Sequence, residues 1–358
     1  MRLFILTDSN FTNSGSLIYQ KTWDLIEAGM SLDMAHFYIV GNAIPANYVR
    51  LFSSHSNYNE YAKVEIVGYQ AAQKLMASLT NVIIIHFGAD LKGSERFPHY
   101  FIPLWHPIFN RSLSLLQNWL QNRKFESFLK KSINTICLNE WVLNTIKLAH
   151  PKYAYKASLG YLPTTPLPVF EWQQLAACKD EIAGGNNYFL AFIPLSEMIA
   201  TLKEFSIFKK WQQTSMALVF VFENEAICAK AKSFLKGYKF KEAIFILPKS
   251  GLKKEWIAAT YAALWSGAHF DSSFLMEEAV QFHIPLLLNT NNNLPDSWGK
   301  AGEYFDFSTK LALSNHFKLY YKDEVYRQAR SNMGHAWLNQ QNTNGELQFE
   351  TKLPMCLK

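Results

Sequence analysis

The stretch from Ser132 to Phe170, SINTICLNEWVLNTIKLAHPKYAYKASLGYLPTTPLPVF, decides the fold. Ile133–Leu138 is a short apolar run that ends in the polar pair Asn139-Glu140. WVLNTIKLAH then has the spacing of an amphipathic helix, and Pro151 stops it, since proline lacks the N–H that the next turn needs. Tyr155–Leu159 is a second apolar run closed by Gly160, and Pro163–Phe170 is rich in proline. The order is strand, polar turn, helix, strand, linker. In an open α/β sheet, a polar turn at a strand's carboxyl end is where ligands bind.

On the amino-terminal side, Leu3–Asp8, Ala35–Gly41, Val64–Tyr69, Val82–Phe87 and Tyr100–His106 read as strands, and Ser16–Ala28, Ala71–Leu79 and Asn110–Lys131 as helices. The β-branched run VIIIHF at Val82–Phe87 is what a parallel strand buried on both faces requires. His86 and His106 fall at the ends of two of these strands. Beyond the linker the alternation begins again. Asn187–Pro194, Met216–Phe222, Ala243–Pro248 and Ile284–Thr290 read as strands, with GAHFDSS a short strand and loop. Ser196–Gln212, Ala226–Leu235, Lys253–Trp265 and Phe274–Phe282 read as helices, followed by helices near Ser308–Lys318 and Asp323–Leu338 and a loosely held tail, Asn339–Lys358. Such alternation predicts an α/β protein with a doubly wound parallel sheet in each half. The expected division is 1–166, 167–330, and a terminal helix end and tail over 331–358.

A hydrophobic fraction of 49% and an aromatic fraction of 15% in 358 residues suffice for two packed cores and argue against disorder. No apolar run reaches the roughly 18–20 residues of a membrane span. Met1-Arg2 leads straight into LFIL, which reads as a first strand rather than a signal peptide, so the expected location is cytoplasmic. The four cysteines, Cys137, Cys178, Cys228 and Cys356, form no CxxC pair, so metal and disulfide chemistry have no support; Cys137 reads as a small core residue of a strand. The net charge of +6 is unevenly spread. Between Arg111 and Lys156 lie Arg123, Lys124, Lys130, Lys131, Lys147 and Lys152 against only Glu126 and Glu140. This segment, 111–156, is either a solvated helix face or a surface for phosphates or for the anionic inner face of a membrane. No nucleic-acid-binding module accompanies it. Nor is there a GxSxG, HExxH, Walker or GxGxxG motif. Trp105, Trp119 and Trp141 have the shape to stack on sugars, although aromatic residues at helical spacing usually pack in cores.

The Ser132–Phe170 segment resembles the junction between the halves of the retaining, family-4-type GT-B glycosyltransferases, with Asn139 on the family's serine and Gly160 on its glycine. A second resemblance lies in ALWSGAHFDSSFLMEEAVQFHIPLLL, which aligns through Glu278-Ala279 and Ile284-Pro285 with the family's donor-binding loop and helix. The resemblance implies two Rossmann-like domains facing across a cleft, with the last helix returning to the first domain. It also implies a nucleotide-sugar donor as co-substrate with no other cofactor, no metal, and a glycan or lipid-linked acceptor. Glu278 would hold the ribose hydroxyls, which suits a carboxylate because it accepts two hydrogen bonds at once. His106 falls where the family has a histidine near the sugar. His86, Asn139 and the loop carrying Gly15-Ser16 fall on the acceptor side.

Three departures stand against that implication. The family's first glutamate falls on Phe270, and its glycine-rich turn on Asp271, Ser272 and Ser273. Ser272 and Ser273 still offer N–H groups and hydroxyls to a diphosphate at a helix amino terminus. The arginine and lysine that neutralise the departing diphosphate fall near Phe192 and Glu197, and Lys249, after strand AIFILP, is the leading substitute. Glu278 and the two histidines also have plain structural readings, as an exposed helix residue and as packed rings. The sequence therefore leaves two functions open. One is a retaining, metal-independent glycosyltransferase; the other is a catalytically inactive GT-B module that binds a glycan, a nucleotide or a partner glycosyltransferase.

Overall fold

The computed structural model describes residues 2–6, 36–41, 64–79, 82–87, 97–103, 115–137, 140–160, 167–266, 270–290 and 296–355. The chain divides into two compact units, Met1–Thr165 together with Gln341–Lys358, and Pro166–Gln340. The proposed helix Ser16–Ala28, the linker residues 161–166 and Arg111 lie outside the described residues.

Among the described residues, unit 1 holds strands β1 (Arg2–Leu6), β2 (His36–Gly41), β3 (Val64–Gly68), β4 (Val82–His86), β5 (His99–Phe101), β6 (Asn134–Cys137) and β7 (Ala157–Leu159). They form a sheet in the order β3-β2-β1-β4-β5-β6-β7, and every pair is parallel. Helices α1 (Tyr69–Ser78), α2 (Leu115–Lys131) and α3 (Glu140–Ala149) belong to this unit. All five residues of β4 are buried, as its β-branched run requires. α2 buries Phe125, Phe128 and Leu129. Its carboxyl end is capped by a side chain distant in sequence: Lys156 Nζ donates to the carbonyls of Lys130 (2.9 Å), Ser132 (2.7 Å) and Leu129 (3.4 Å). A cation on the last carbonyls is favourable to the helix dipole. Lys156 is thereby withdrawn from the basic surface that the sequence suggested.

Unit 2 holds β8 (Tyr188–Phe192), β9 (Ala217–Phe222), β10 (Ile244–Pro248), β11 (Ala262–Trp265), β12 (Leu286–Asn289) and β13 (Gly302–Phe305). Their order is β10-β9-β8-β11-β12-β13, again parallel throughout. The helices are α4 (Trp172–Ala183), α5 (Met198–Gln212), α6 (Glu225–Ser233), α7 (Lys254–Ala258), α8 (Phe270–Gln281), α9 (Ala312–Lys322) and α10 (Glu324–Met355), whose residues beyond 340 group with unit 1. Side chains alternate across β8: Tyr188, Leu190 and Phe192 enter one core, with Trp256, Trp265 and Trp298, while Phe189 and Ala191 enter the other, with Phe205, Phe208 and Phe317.

Several elements differ from the sequence reading. Lys253–Trp265 is not one helix: α7 ends at Ala258, and Ala262–Trp265 is the buried strand β11. Four residues buried on both faces show no period that separates strand from helix. The strand read as Tyr100–His106 ends at Phe101, and His106 lies outside the described residues. β13 was read as no element at all. The carboxyl-terminal stretch read as a tail is helical as far as Met355.

Cys137 packs in β6 with no exposure, and burial pushes its thiol up to about 12, so it is an inert core residue. Burial also holds the imidazoles of His150, His316 and His283 below their ordinary value, with His335 adding to the effect on His283. The rings of His283 and His335 stack at 3.8 Å. A histidine whose native value is depressed binds fewer protons folded than unfolded, so stability is full above about pH 6.5 and falls as pH drops below it. The urea midpoint should therefore be lower at about pH 5.5 than at about pH 7.5. An unchanged or higher midpoint would contradict the assignment.

Candidate functional site

In unit 2 the chain leaves β8 toward β9 on one side, and leaves β11 toward β12 on the other. The carboxyl ends of β8 and β11 therefore flank the point where strand order reverses, where open α/β sheets form a binding crevice. Three polar side chains meet at these ends. Glu197 immediately precedes α5, Ser266 follows β11, and Asn289 ends β12. Ser266 and Asn289 are fully buried. The Ser266 hydroxyl donates to Glu197 Oε2, as does Asn289 Nδ2 at 3.3 Å, and Asn289 Nδ2 lies 2.7 Å from Ser266 Oγ. The Ser266 N–H donates to the Phe192 carbonyl at 2.9 Å, which locks the end of β11 to the end of β8. A carboxylate thus stands at the switch point, held by two buried donors and favoured by the amino-terminal dipole of α5. It occupies the loop in which the family resemblance expected a cation.

Glu278 lies on α8, with a side chain 13% exposed, and its carboxylate pairs with Lys254 Nζ at 3.5 Å. It is neither the fully exposed residue of the plain reading nor a core residue. The first turn of α8 begins at Phe270, earlier than the sequence suggested. Ser272 and Ser273 therefore lie inside the first turn rather than before it. The Ser272 N–H is still among the four that an α-helix leaves without an intrahelical partner, whereas the Ser273 N–H makes the first intrahelical bond. Lys249 follows β10, the edge strand of the sheet, two strand spacings or roughly 10 Å from β8.

In unit 1, His86 does end β4 beside the point where strand order reverses between β1 and β4. Its ring is 2% exposed and stacks on Phe101 at 5.0 Å, with Phe128 at 5.2 Å and His99 at 5.7 Å. That is the setting of a packed ring. Gly15, Ser16, His106 and Asn139 lie outside the described residues, as do the side chains of Ser272 and Ser273. Sequence reasoning missed the grouping of Glu197, Ser266 and Asn289 and the Lys254 partner of Glu278. Glu197 is 69 residues from Ser266 and 92 from Asn289, a separation no local pattern encodes. The signal available was that each follows or ends an apolar run.

No family model matches the chain, and no curated protein matches it. Solved structures do match along its length. HepE of Anabaena, solved in complex with UDP and glucose, aligns with a TM-score of 0.72 at 10% identity, covering 99% of this chain and 100% of its own. Sucrose-phosphate synthase of Thermosynechococcus elongatus aligns at 0.69 and 9% identity, covering 100% and 99%. WaaG, a glycosyltransferase involved in lipopolysaccharide biosynthesis, aligns at 0.61 and 9% identity, covering 95% of each chain. Two units, each built on a doubly wound parallel sheet and matched end to end by these structures, give this chain the GT-B fold.

Proposed function

We propose that the protein is a glycosyltransferase that takes a sugar from a nucleotide-sugar donor held by unit 2 and passes it to a glycan or lipid-linked acceptor. The observation that carries the reading is Glu278: a half-buried carboxylate on the helix after β11, held by Lys254 at 3.5 Å, in a segment that resembles the family's donor-binding helix. In this reading Glu278 takes the ribose hydroxyls, and the Ser272 N–H and the Ser273 hydroxyl take the diphosphate. Lys249 is the cation assigned to the leaving group. Retention of configuration and independence from metal come with the resemblance, as does His106 as the group nearest the sugar, with Asn139 and the Gly15-Ser16 loop on the acceptor side. Support for a UDP-type donor is that HepE was solved with UDP and with UDP-glucose.

A second reading, a GT-B module without turnover, is favoured by Glu197. Its carboxylate bonds to Ser266, four residues before the first turn of α8. A diphosphate on that turn would meet a like charge, which weakens binding. Glu197→Gln keeps the side-chain shape and an oxygen to accept from Ser266 and Asn289 while removing the charge. It should tighten nucleoside diphosphate binding about tenfold by calorimetry. If affinity is unchanged, the diphosphate does not lie near α8. Incubating the purified protein with nucleotide sugars and following release of the nucleoside diphosphate separates the two readings. Release, with or without an added acceptor, is the transferase result, and its absence for every common donor would leave the module.

A further inference from the structure

Unit 2 carries a groove of about 570 Å³ between α5 and the turn that follows α6. Its long wall is one stripe of α5, with Ile199, Leu202, Lys203, Ile207 and Lys210 at the three- and four-residue spacing of a single helix face. Phe234 and Tyr238 form the other wall. The two walls are pinned together: the Tyr238 hydroxyl donates to the Leu202 carbonyl at 2.9 Å and accepts from Ser206 Oγ at 2.9 Å. Ile199 and Phe234 stand 47% and 39% exposed along it. Lys203 and Lys210 are exposed, and no acidic side chain lines the groove. Glu204, the acid beside them on α5, is engaged elsewhere and accepts from the Ser314 N–H at 2.9 Å. Among the described residues neither lysine is paired with a carboxylate.

A groove with apolar walls, a fixed shape and two cations without acidic partners suits an occupant of opposite charge, and the lysine spacing selects its shape. From Ile199 to Lys210 α5 rises about 16 Å, and Lys203 and Lys210 are two turns, about 10 Å, apart along its axis. A helix lying along α5 presents carboxylates seven positions apart at that same separation, with apolar residues at three- and four-residue spacing between them. An extended strand repeats one face at about 7 and 13 Å, and matches the lysines at neither step. We infer that this groove docks an acidic amphipathic helix of a partner protein, about three turns long, with its apolar stripe on Leu202, Ile207 and Phe234 and its carboxylates on Lys203 and Lys210. A helix of that length is marginal alone in water, so it orders as it binds and the contact is readily reversible. The inference uses no residue assigned to the donor and stands apart from the transferase reading.

The test is fluorescence anisotropy of a labelled synthetic peptide of about fourteen residues, titrated with the full chain. The peptide is alanine and glutamine except for a stripe of leucines on one helix face and, on that face, two glutamates seven positions apart. A second peptide carries lysines in place of the glutamates. The expected result is saturable binding of the glutamate peptide, at least about tenfold tighter than the lysine peptide and weaker at high salt. Lys203→Glu with Lys210→Glu should weaken the glutamate peptide about tenfold or more and bind the lysine peptide better than the wild type does, a reversal that loss of fold cannot produce. Phe234→Ser should weaken the glutamate peptide while melting with the wild type, as an exposed position allows. No saturable binding up to about 1 mM, equal affinity for the two peptides, or no reversal in the lysine variant would overturn the inference. Tighter binding of a peptide that alternates valine and glutamate would also overturn it, because the occupant would then be a strand. So would self-association of the chain that Phe234→Ser abolishes, because a second copy would then cover the groove.

Discussion

Gly302→Ala is expected to destabilise unit 2 by about 3 kcal/mol or more. Gly302 opens β13, and a Cβ added there would lie 2.1 Å from the carbonyl oxygen of Leu286 and 2.6 Å from its carbonyl carbon, in β12. Both atoms are backbone atoms of a fully buried strand, so no side chain can turn aside. Relief requires β12 and β13 to separate, and several contacts are fixed to their present spacing. The Leu286 N–H bonds to the Ala301 carbonyl at 3.3 Å. Arg330 of α10 donates to the carbonyls of Gly299 and Gly302 and pairs with Glu303 at 3.0 Å. For a unit of this size the loss corresponds to a fall in melting temperature of about 6–12 °C. Gly299→Ala is the control, because its Cβ would meet the Tyr304 ring at 2.8 Å, and a ring can move. Equal melting temperatures for Gly302→Ala and the wild type would mean that β12 and β13 do not pair as described.

Glu278→Ala is expected to have the opposite profile, a large loss of nucleotide binding with little change in stability. A carboxylate that accepts hydrogen bonds from two ribose hydroxyls is a charge-assisted contact, and its loss weakens binding about tenfold or more. Its pairing with Lys254 is partly exposed, with the lysine 42% and the glutamate 13% accessible, so the ion pair itself is worth little to folding. The truncation leaves the backbone of α8 intact, and Ala279 and Val280, not Glu278, fill the core beneath it. Lys254 freed of its partner gains access to solvent and adds no buried charge. A drop in melting temperature as large as that of Gly302→Ala would instead make Glu278 a structural residue.

The alternation of strands and helices was legible because strands buried on both faces appear as apolar runs, and Val82–His86 and Ala217–Phe222 are such runs. β11 was not, since AALW is only four residues and the apolar Trp256 and Ile257 before it share helical spacing. Chain direction there is set by tertiary contacts instead: the Trp256 carbonyl accepts from the Tyr188 hydroxyl and from Thr260 Oγ1. β13 escaped notice because GEYF has buried ends and half-buried middle residues, with no alternation. Of the candidate site, Glu278 was legible from its neighbours in sequence. The Glu197, Ser266 and Asn289 group was not, because strand pairing brings it together and sequence proximity does not. The basic segment was legible as charge, yet only the structure separates Lys156, which caps α2, from Arg123, Lys124, Lys130 and Lys131 on its exposed face.

The central claim is that unit 2 binds a nucleotide through Glu278, and titration calorimetry with UDP on the wild type and Glu278→Ala, side by side, tests it most directly. The account predicts saturable binding at one site in the wild type and affinity weaker by about tenfold or more in the variant, with both proteins melting together. Equal affinity in the two proteins, or a wild type that binds neither UDP nor any other nucleoside diphosphate, would contradict it.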